Sequence, residues 1–169
     1  MGNIILIGFM GCGKTSVGKR LAEAFNMEFL DTDEWIEKKE NESISEIFAT
    51  QGEAAFRNME TECLKQLLEY KEKAFVLSVG GGLPIREENR QLLSKMGHVV
   101  YLKASPDVIY KRLRNDKTRP LLQGMNPRGR IFDLMSARKN FYEGAAEYIV
   151  EVDDKEFTEI VEEIKEKCQ

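Results

Sequence analysis

Short apolar runs alternate with longer amphipathic stretches along the whole chain. Strands are expected at 3–7, 28–30, 75–79, 99–102 and 149–152, short runs in which apolar residues crowd together. Between them, helical spacing of apolar positions runs over 14–25, 32–39, 43–51, 53–70, 86–96, 106–114, 132–145 and 156–167. Such alternation predicts a parallel sheet with helices on both faces. The run Ile4-Ile5-Leu6-Ile7 and the stretch 75–79 are apolar at nearly every position, as strands buried on both sides must be. The expected architecture is a three-layer α/β/α domain with a central five-stranded parallel sheet. No linker or internal repeat divides the chain, so 1–169 reads as one domain.

One stretch breaks the pattern. Residues 115–130, NDKTRPLLQGMNPRGR, hold two prolines, two glycines and four basic residues with little periodicity. A long segment of this kind between regular elements reads as a lid, and its basic residues suit phosphates.

Composition narrows the picture only slightly. At 169 residues, 42% hydrophobic and 32% charged, the chain is an ordinary globular domain. A net charge of −4 argues against nucleic acid as the main partner. Three scattered cysteines without a C-x-x-C pair, and a single histidine, His98, leave little from which to build a zinc site or a histidine-based catalytic set. The thiols are expected to be reduced and unpaired. No signal peptide or membrane-spanning run is visible, and Leu6 stands where a myristoylation signal needs Ser or Thr. A cytoplasmic monomer is expected, with no membrane partner.

Chemistry enters with GFMGCGKTSVG at 8–18, directly after the first strand. Gly8, four residues, then Gly13-Lys14-Thr15 fits the phosphate-binding loop. Its glycines permit a tight turn whose N–H groups face a phosphate, and the following helix adds its positive end. Gly11, Cys12, Gly13, Lys14, Thr15 and Ser16 are the candidate nucleotide contacts. Lys14 can bridge the β- and γ-phosphates, and the Thr15 hydroxyl can ligate Mg²⁺.

Five further stretches carry candidate chemistry. FLDTDEW at 29–35 carries Asp31 and Asp33, able to serve a metal-bound water and a substrate hydroxyl, or else Thr32 or Asp33 simply caps the next helix. GEAAFRNMETE at 52–62 puts Arg57 and Glu60 on one helix face, where an ordinary ion pair explains them equally well. LSVGGGLP at 77–84 ends the third strand in Gly80, Gly81 and Gly82, a run that lets backbone amides approach an anion. Arg119 in TRPLL and Arg138 in ARKNFYE are candidate phosphate and carboxylate ligands.

The Asn-Lys-x-Asp stretch by which switch GTPases read guanine is missing, and the chain is too short for the added domains of motors. A small kinase that closes over ATP and a second substrate remains, since water must be kept from competing as acceptor. Taken together, GFMGCGKTSVG, Asp31-x-Asp33, Glu53, Phe56, Arg57 and Glu60, the triple glycine, RPLL at 119–122, and Arg138 followed by Tyr142 resemble the shikimate kinases along nearly the whole chain.

The resemblance implies a P-loop kinase fold with a mobile lid and a substrate-binding helical region at about 32–62. It implies transfer of the ATP γ-phosphate to the 3-hydroxyl of shikimate, on the route to chorismate and the aromatic amino acids. By the same resemblance, Asp33 contacts the shikimate hydroxyls, as a base or as an orienting acceptor. Arg57, Arg138 and the Gly81 amide, with Gly80 and Gly82 beside it, take the carboxylate. Thr15 and Asp31 serve Mg²⁺, Lys14 and Arg119 neutralise the phosphoryl group, and Arg114 lies against adenine with Asp153 in the adenine loop. The chain departs from the family's pattern at Cys12, where a smaller residue is common, and at Phe141, where proline often precedes Tyr142. Rival readings are a gluconate or nucleoside monophosphate kinase, or a nucleotide-binding module without catalysis.

Overall fold

The computed structural model describes residues 2–114 and 124–169. Five strands, β1 (Asn3–Ile7), β2 (Glu28–Asp31), β3 (Phe75–Ser78), β4 (Gly97–Lys103) and β5 (Tyr148–Glu151), form one sheet in the order β2-β3-β1-β4-β5. Every pairing is parallel. Ile4, Ile5, Leu6 and Ile7 expose nothing to solvent. Their side chains alternate between the two faces of the sheet, so both faces are covered.

The helices are α1 (Lys14–Phe25), α2 (Thr32–Glu40), α3 (Ile44–Gln51), α4 (Glu53–Glu69), α5 (Glu87–Met96), α6 (Pro106–Leu113), α7 (Pro127–Ala145) and α8 (Phe157–Cys168). Helices α1 and α8 pack together, as do α5 and α7. Among the described residues no helix is long and apolar enough to cross a membrane.

The strand order fixes where a ligand can sit. The chain passes from β1 to β2 at the edge, returns to β3 beside β1, then crosses to β4 and β5 on the other side. At β1 the direction of winding reverses, and such a switch point opens a crevice beyond the carboxyl ends of the strands. Register brings those ends level: Leu6 lies opposite Ser78 and Val100, and Asp31 lies opposite Ser78.

Most expected elements form with ends shifted by a residue or two. The largest difference is α7, which begins at Pro127 rather than at 132. Asn126 caps it, accepting a hydrogen bond from the Gly129 N–H at 3.2 Å, and proline suits a first helical position. Ile131, inside this added turn, is fully buried, whereas Phe132 is 57% exposed. Residues 127–130 of the expected lid are therefore helix, while 115–123, with Arg119, lie outside the described residues. A single 3₁₀ turn, Leu83–Ile85, follows the triple glycine and had no sequence signal. All three cysteines are unpaired, as expected, and all three are buried.

Candidate active site

The loop from β1 to α1 closes on itself at the switch point. A side chain at Gly8 would place its Cβ 2.7 Å from the Leu102 carbonyl oxygen, so only glycine lets β1 leave the sheet this close to β4. Gly13 sits before α1 at φ 102° and offers no side-chain cap, which leaves the first N–H groups of the helix for another acceptor. Lys14 folds over the loop, its Nζ donating to the carbonyl oxygens of Gly8 (2.7 Å) and Phe9 (3.2 Å). Gly11, Gly13, Lys14, Thr15 and Ser16 line a cleft of about 510 Å³ together with Asp31, Asp33, Gly80 and Gly81.

Cys12 is not part of that lining. Its N–H donates to the Phe9 carbonyl at 3.1 Å and its side chain is 1% exposed, with Sγ 3.8 Å from Lys14 Nζ. Its side chain supports the loop from beneath, away from the cleft in which the nucleotide contacts are expected. The capping expectation at β2 shifts as well. Asp31, rather than Thr32 or Asp33, caps α2, its Oδ1 accepting from Asp33 N (2.8 Å) and Glu34 N (3.2 Å). Burial raises the Asp31 pKa against these two hydrogen bonds.

Beyond β3, the three glycines form the floor of a charged pocket, each giving room to a different group. A Cβ on Gly80 would meet Glu60 Oε2 at 3.0 Å and Asp33 Oδ1 at 3.1 Å. On Gly81 it would meet Arg138 Nη1 at 3.4 Å, and on Gly82 the Arg57 guanidinium at 2.5–2.7 Å. None of the three adopts a left-handed φ. Their smallness lets acids and arginines approach the backbone, a broader reason than the amide access expected from sequence.

Electrostatics in this pocket is tense. Glu60 has no exposed surface; Oε1 accepts from Arg57 Nη1 at 2.7 Å. Among the described residues its Oε2, Asp33 Oδ1 and Arg138 Nε are buried with no hydrogen-bond partner. Burial pushes Glu60 up to about 7 despite Arg57, and burial with the neighbouring Asp31 charge pushes Asp33 up to about 6. Arg138 reaches the pocket from α7, its guanidinium 5.7 Å from the Phe9 ring centre.

Arg57, Asp33, Gly80, Gly81, Gly82 and Arg138 therefore converge as expected, next to the phosphate loop. Arg114 and Asp153 do not. Arg114 lies past the end of α6, in a surface hollow with Asp107, Tyr110, Lys111 and Arg128. Asp153 accepts from the Ser105 N–H at 3.0 Å and lines a separate cavity with Lys103 and Lys139.

In their place the structure brings Arg112 and Phe157 to the cleft. Arg112 Nη1 donates to the Gly11 carbonyl at 2.9 Å, and a Cβ on Gly13 would lie 3.3 Å from the Phe157 ring and 3.5 Å from Arg112. The signal for Arg112 was helical spacing. It follows the buried Ile109 by three positions and so turns toward the interior side of α6, whereas Arg114 lies beyond the last helical residue.

A phosphate loop at the switch point, facing a pocket of two arginines and two carboxylates, defines a phosphotransferase acting on a small molecule. The chain matches the family model described as shikimate kinase over residues 10–169. It is 46% identical over 170 residues to a shikimate kinase of Dictyoglomus turgidum, covering 99% of this chain and 97% of that protein. Among solved structures it is similar to the shikimate kinase of Acinetobacter baumannii in complex with shikimate, with a TM-score of 0.91 and 40% identity over 99% of this chain and 92% of that one. The Aquifex aeolicus shikimate kinase aligns with a TM-score of 0.82 and 38% identity, covering 96% and 94%. The chain belongs to the shikimate kinase family.

Proposed function

We propose that the protein transfers the γ-phosphoryl group of ATP to the 3-hydroxyl of shikimate, yielding shikimate 3-phosphate and ADP. The observation that carries this reading is the polarity of the glycine floor. Two arginines lie over Gly81 and Gly82 and two carboxylates over Gly80, which suits a small acceptor with a carboxylate at one end and hydroxyls at the other. The A. baumannii relative, seen with shikimate, supports the same acceptor.

In this reading Arg57, Arg138 and the Gly81 amide hold the carboxylate, with Gly80 and Gly82 giving the space. Asp33 receives a hydrogen bond from the reacting hydroxyl, and its raised pKa suits it to take up the proton as the oxygen attacks. Lys14 leaves the loop carbonyls to meet the β- and γ-phosphates, and the free N–H groups at the start of α1 take the rest of the triphosphate. The base lies between Arg112 and Phe157. Thr15 and Asp31 fit Mg²⁺: both offer hard oxygen ligands at the cleft, and Asp31 Oδ2 is not used by the helix cap. The ion would neutralise charge on the phosphates.

Positioning and charge neutralisation account for most catalysis of phosphoryl transfer, and this site supplies both. We assign Arg119 to the phosphoryl group, and the lid within a single domain to the part of 115–130 that precedes α7, on the strength of the motif.

A coupled assay of ADP release tests the reading. With ATP and Mg²⁺, release is expected to depend on shikimate and to be negligible with gluconate or nucleoside monophosphates. ADP release independent of shikimate would sink it.

A further inference from the structure

Gly81 has no side chain with which to anchor itself, yet the proposed site needs its amide in a fixed direction. Its neighbours are pinned by other means. The Gly80 N–H donates to Thr32 Oγ1 at 3.0 Å, the Gly80 carbonyl accepts from Leu83 N at 3.1 Å, and the Gly82 carbonyl accepts from Ile85 N at 3.2 Å. The Gly81 carbonyl is held from a different part of the chain, by the hydroxyl of Tyr142, which donates to it at 2.6 Å. Among the described residues the Gly81 N–H makes no hydrogen bond and remains available.

Tyr142 stands one turn after Arg138 on α7, so the two side chains share a helix face. Arg138 Nη1 in turn approaches Gly81 closely. Tyr142, Arg138 and Gly81 thus form a closed triangle, and only two of its corners face the acceptor in the reading above. We propose that Tyr142 is the positioning residue for the carboxylate end of the acceptor site, orienting Gly81 and Arg138 without touching the substrate. The proposal rests on the assignment of that pocket to shikimate.

Its surroundings suit the task. Tyr142 is 1% exposed and its ring packs against Tyr101 with centroids 5.1 Å apart, so the hydroxyl has one place to point. Burial raises its pKa well above the ordinary phenol range, with the Arg138 charge pulling the other way. The hydroxyl therefore stays protonated and must donate. A buried tyrosine needs a hydrogen-bond partner in any fold; what singles this one out is that its partner is the central peptide of the substrate floor, 61 residues away in sequence.

Tyr142→Phe removes the hydroxyl and keeps the ring, so the fold should survive. The KM for shikimate is expected to rise about five- to tenfold, the usual effect of losing one buried hydrogen bond. The KM for ATP and kcat should stay within about twofold. The diagnostic readout is the inhibition constant of shikimate methyl ester, which lacks the carboxylate charge. It should change far less than the KM for shikimate.

Equal weakening of acid and ester, or no change in either, overturns the proposal. Tyr101→Phe is the packing control, expected to leave all constants unchanged; if it reproduces the effects of Tyr142→Phe, the proposal fails. Wild-type protein that does not phosphorylate shikimate refutes the acceptor assignment itself. An active wild type with an unaltered Tyr142→Phe variant refutes the positioning role alone.

Discussion

Glu60 is fully buried, half-satisfied by Arg57, and displaced from an ordinary pKa of 4.5 to about 7. In the folded protein the neutral form is therefore favoured over a pH range where the unfolded chain is ionised. The folded state binds the extra proton, so stability from this group is full below about 4.5 and is lost as the pH rises through about 7. Asp33 acts in the same direction between 3.8 and about 6. Glu60→Gln should remove the first contribution and keep the second. Denaturant unfolding of ligand-free protein between pH 4.5 and 7.5 would show it, the variant losing roughly 2–3 kcal/mol less than wild type across that window. Parallel curves for the two proteins would contradict the burial argument.

At the scale of elements, Asp31 does two things with one carboxylate. Oδ1 caps α2, and Oδ2 is left for the proposed Mg²⁺. Asp31→Asn separates the tasks, because an amide oxygen caps a helix about as well as a carboxylate but binds Mg²⁺ poorly. Melting temperature should change little, while the Mg²⁺ concentration for half-maximal activity rises several-fold. A marked loss of melting temperature with unaltered Mg²⁺ dependence would reverse the assignment.

The elements themselves were largely legible in the sequence. Apolar runs and helical periods are local signals, and a parallel sheet follows from alternating strands and helices, whereas the strand order is set by long-range pairing. What local pattern missed were ends. Helix α7 starts at Pro127 because Asn126 and Pro127 satisfy a helix start chemically, although Gly129 interrupts the apolar period. The cap of α2, expected at Thr32 or Asp33, falls one or two residues earlier at Asp31 because it depends on where β2 stops.

At the scale of the whole molecule, the switch point divides the proposed site into a donor half on the loop from β1 to α1 and an acceptor half drawn from α2, α4, the loop after β3, and α7. Arg57 lies wholly in the second half. Arg57→Ala is expected to abolish productive binding of shikimate while nucleotide affinity, measured by titration, stays within about threefold. Loss of both would mean that the halves are not separable. The donor half was legible because its residues are contiguous. The acceptor half was legible in kind only, since Glu60 and Gly80, or Tyr142 and Gly81, meet through the fold. The expected place of Arg114 beside the phosphate loop is taken by Arg112, which donates to the Gly11 carbonyl from inside α6, while Arg114 lies past the helix end in a separate hollow.

The glycine floor has a consequence for how this chain can vary. At Gly82 the backbone is ordinary right-handed geometry, φ −93° and ψ −5°, which any residue tolerates. A methyl group there would meet the Arg57 guanidinium at 2.5–2.7 Å and push it from its place beside Glu60. Folding and activity are thus under separate control at this position. In a library of substitutions at 80–82, proteins that express and melt normally yet turn over nothing should be common, and screening by yield or solubility would pass them all. The three residues are an emptiness that selection on function alone can see.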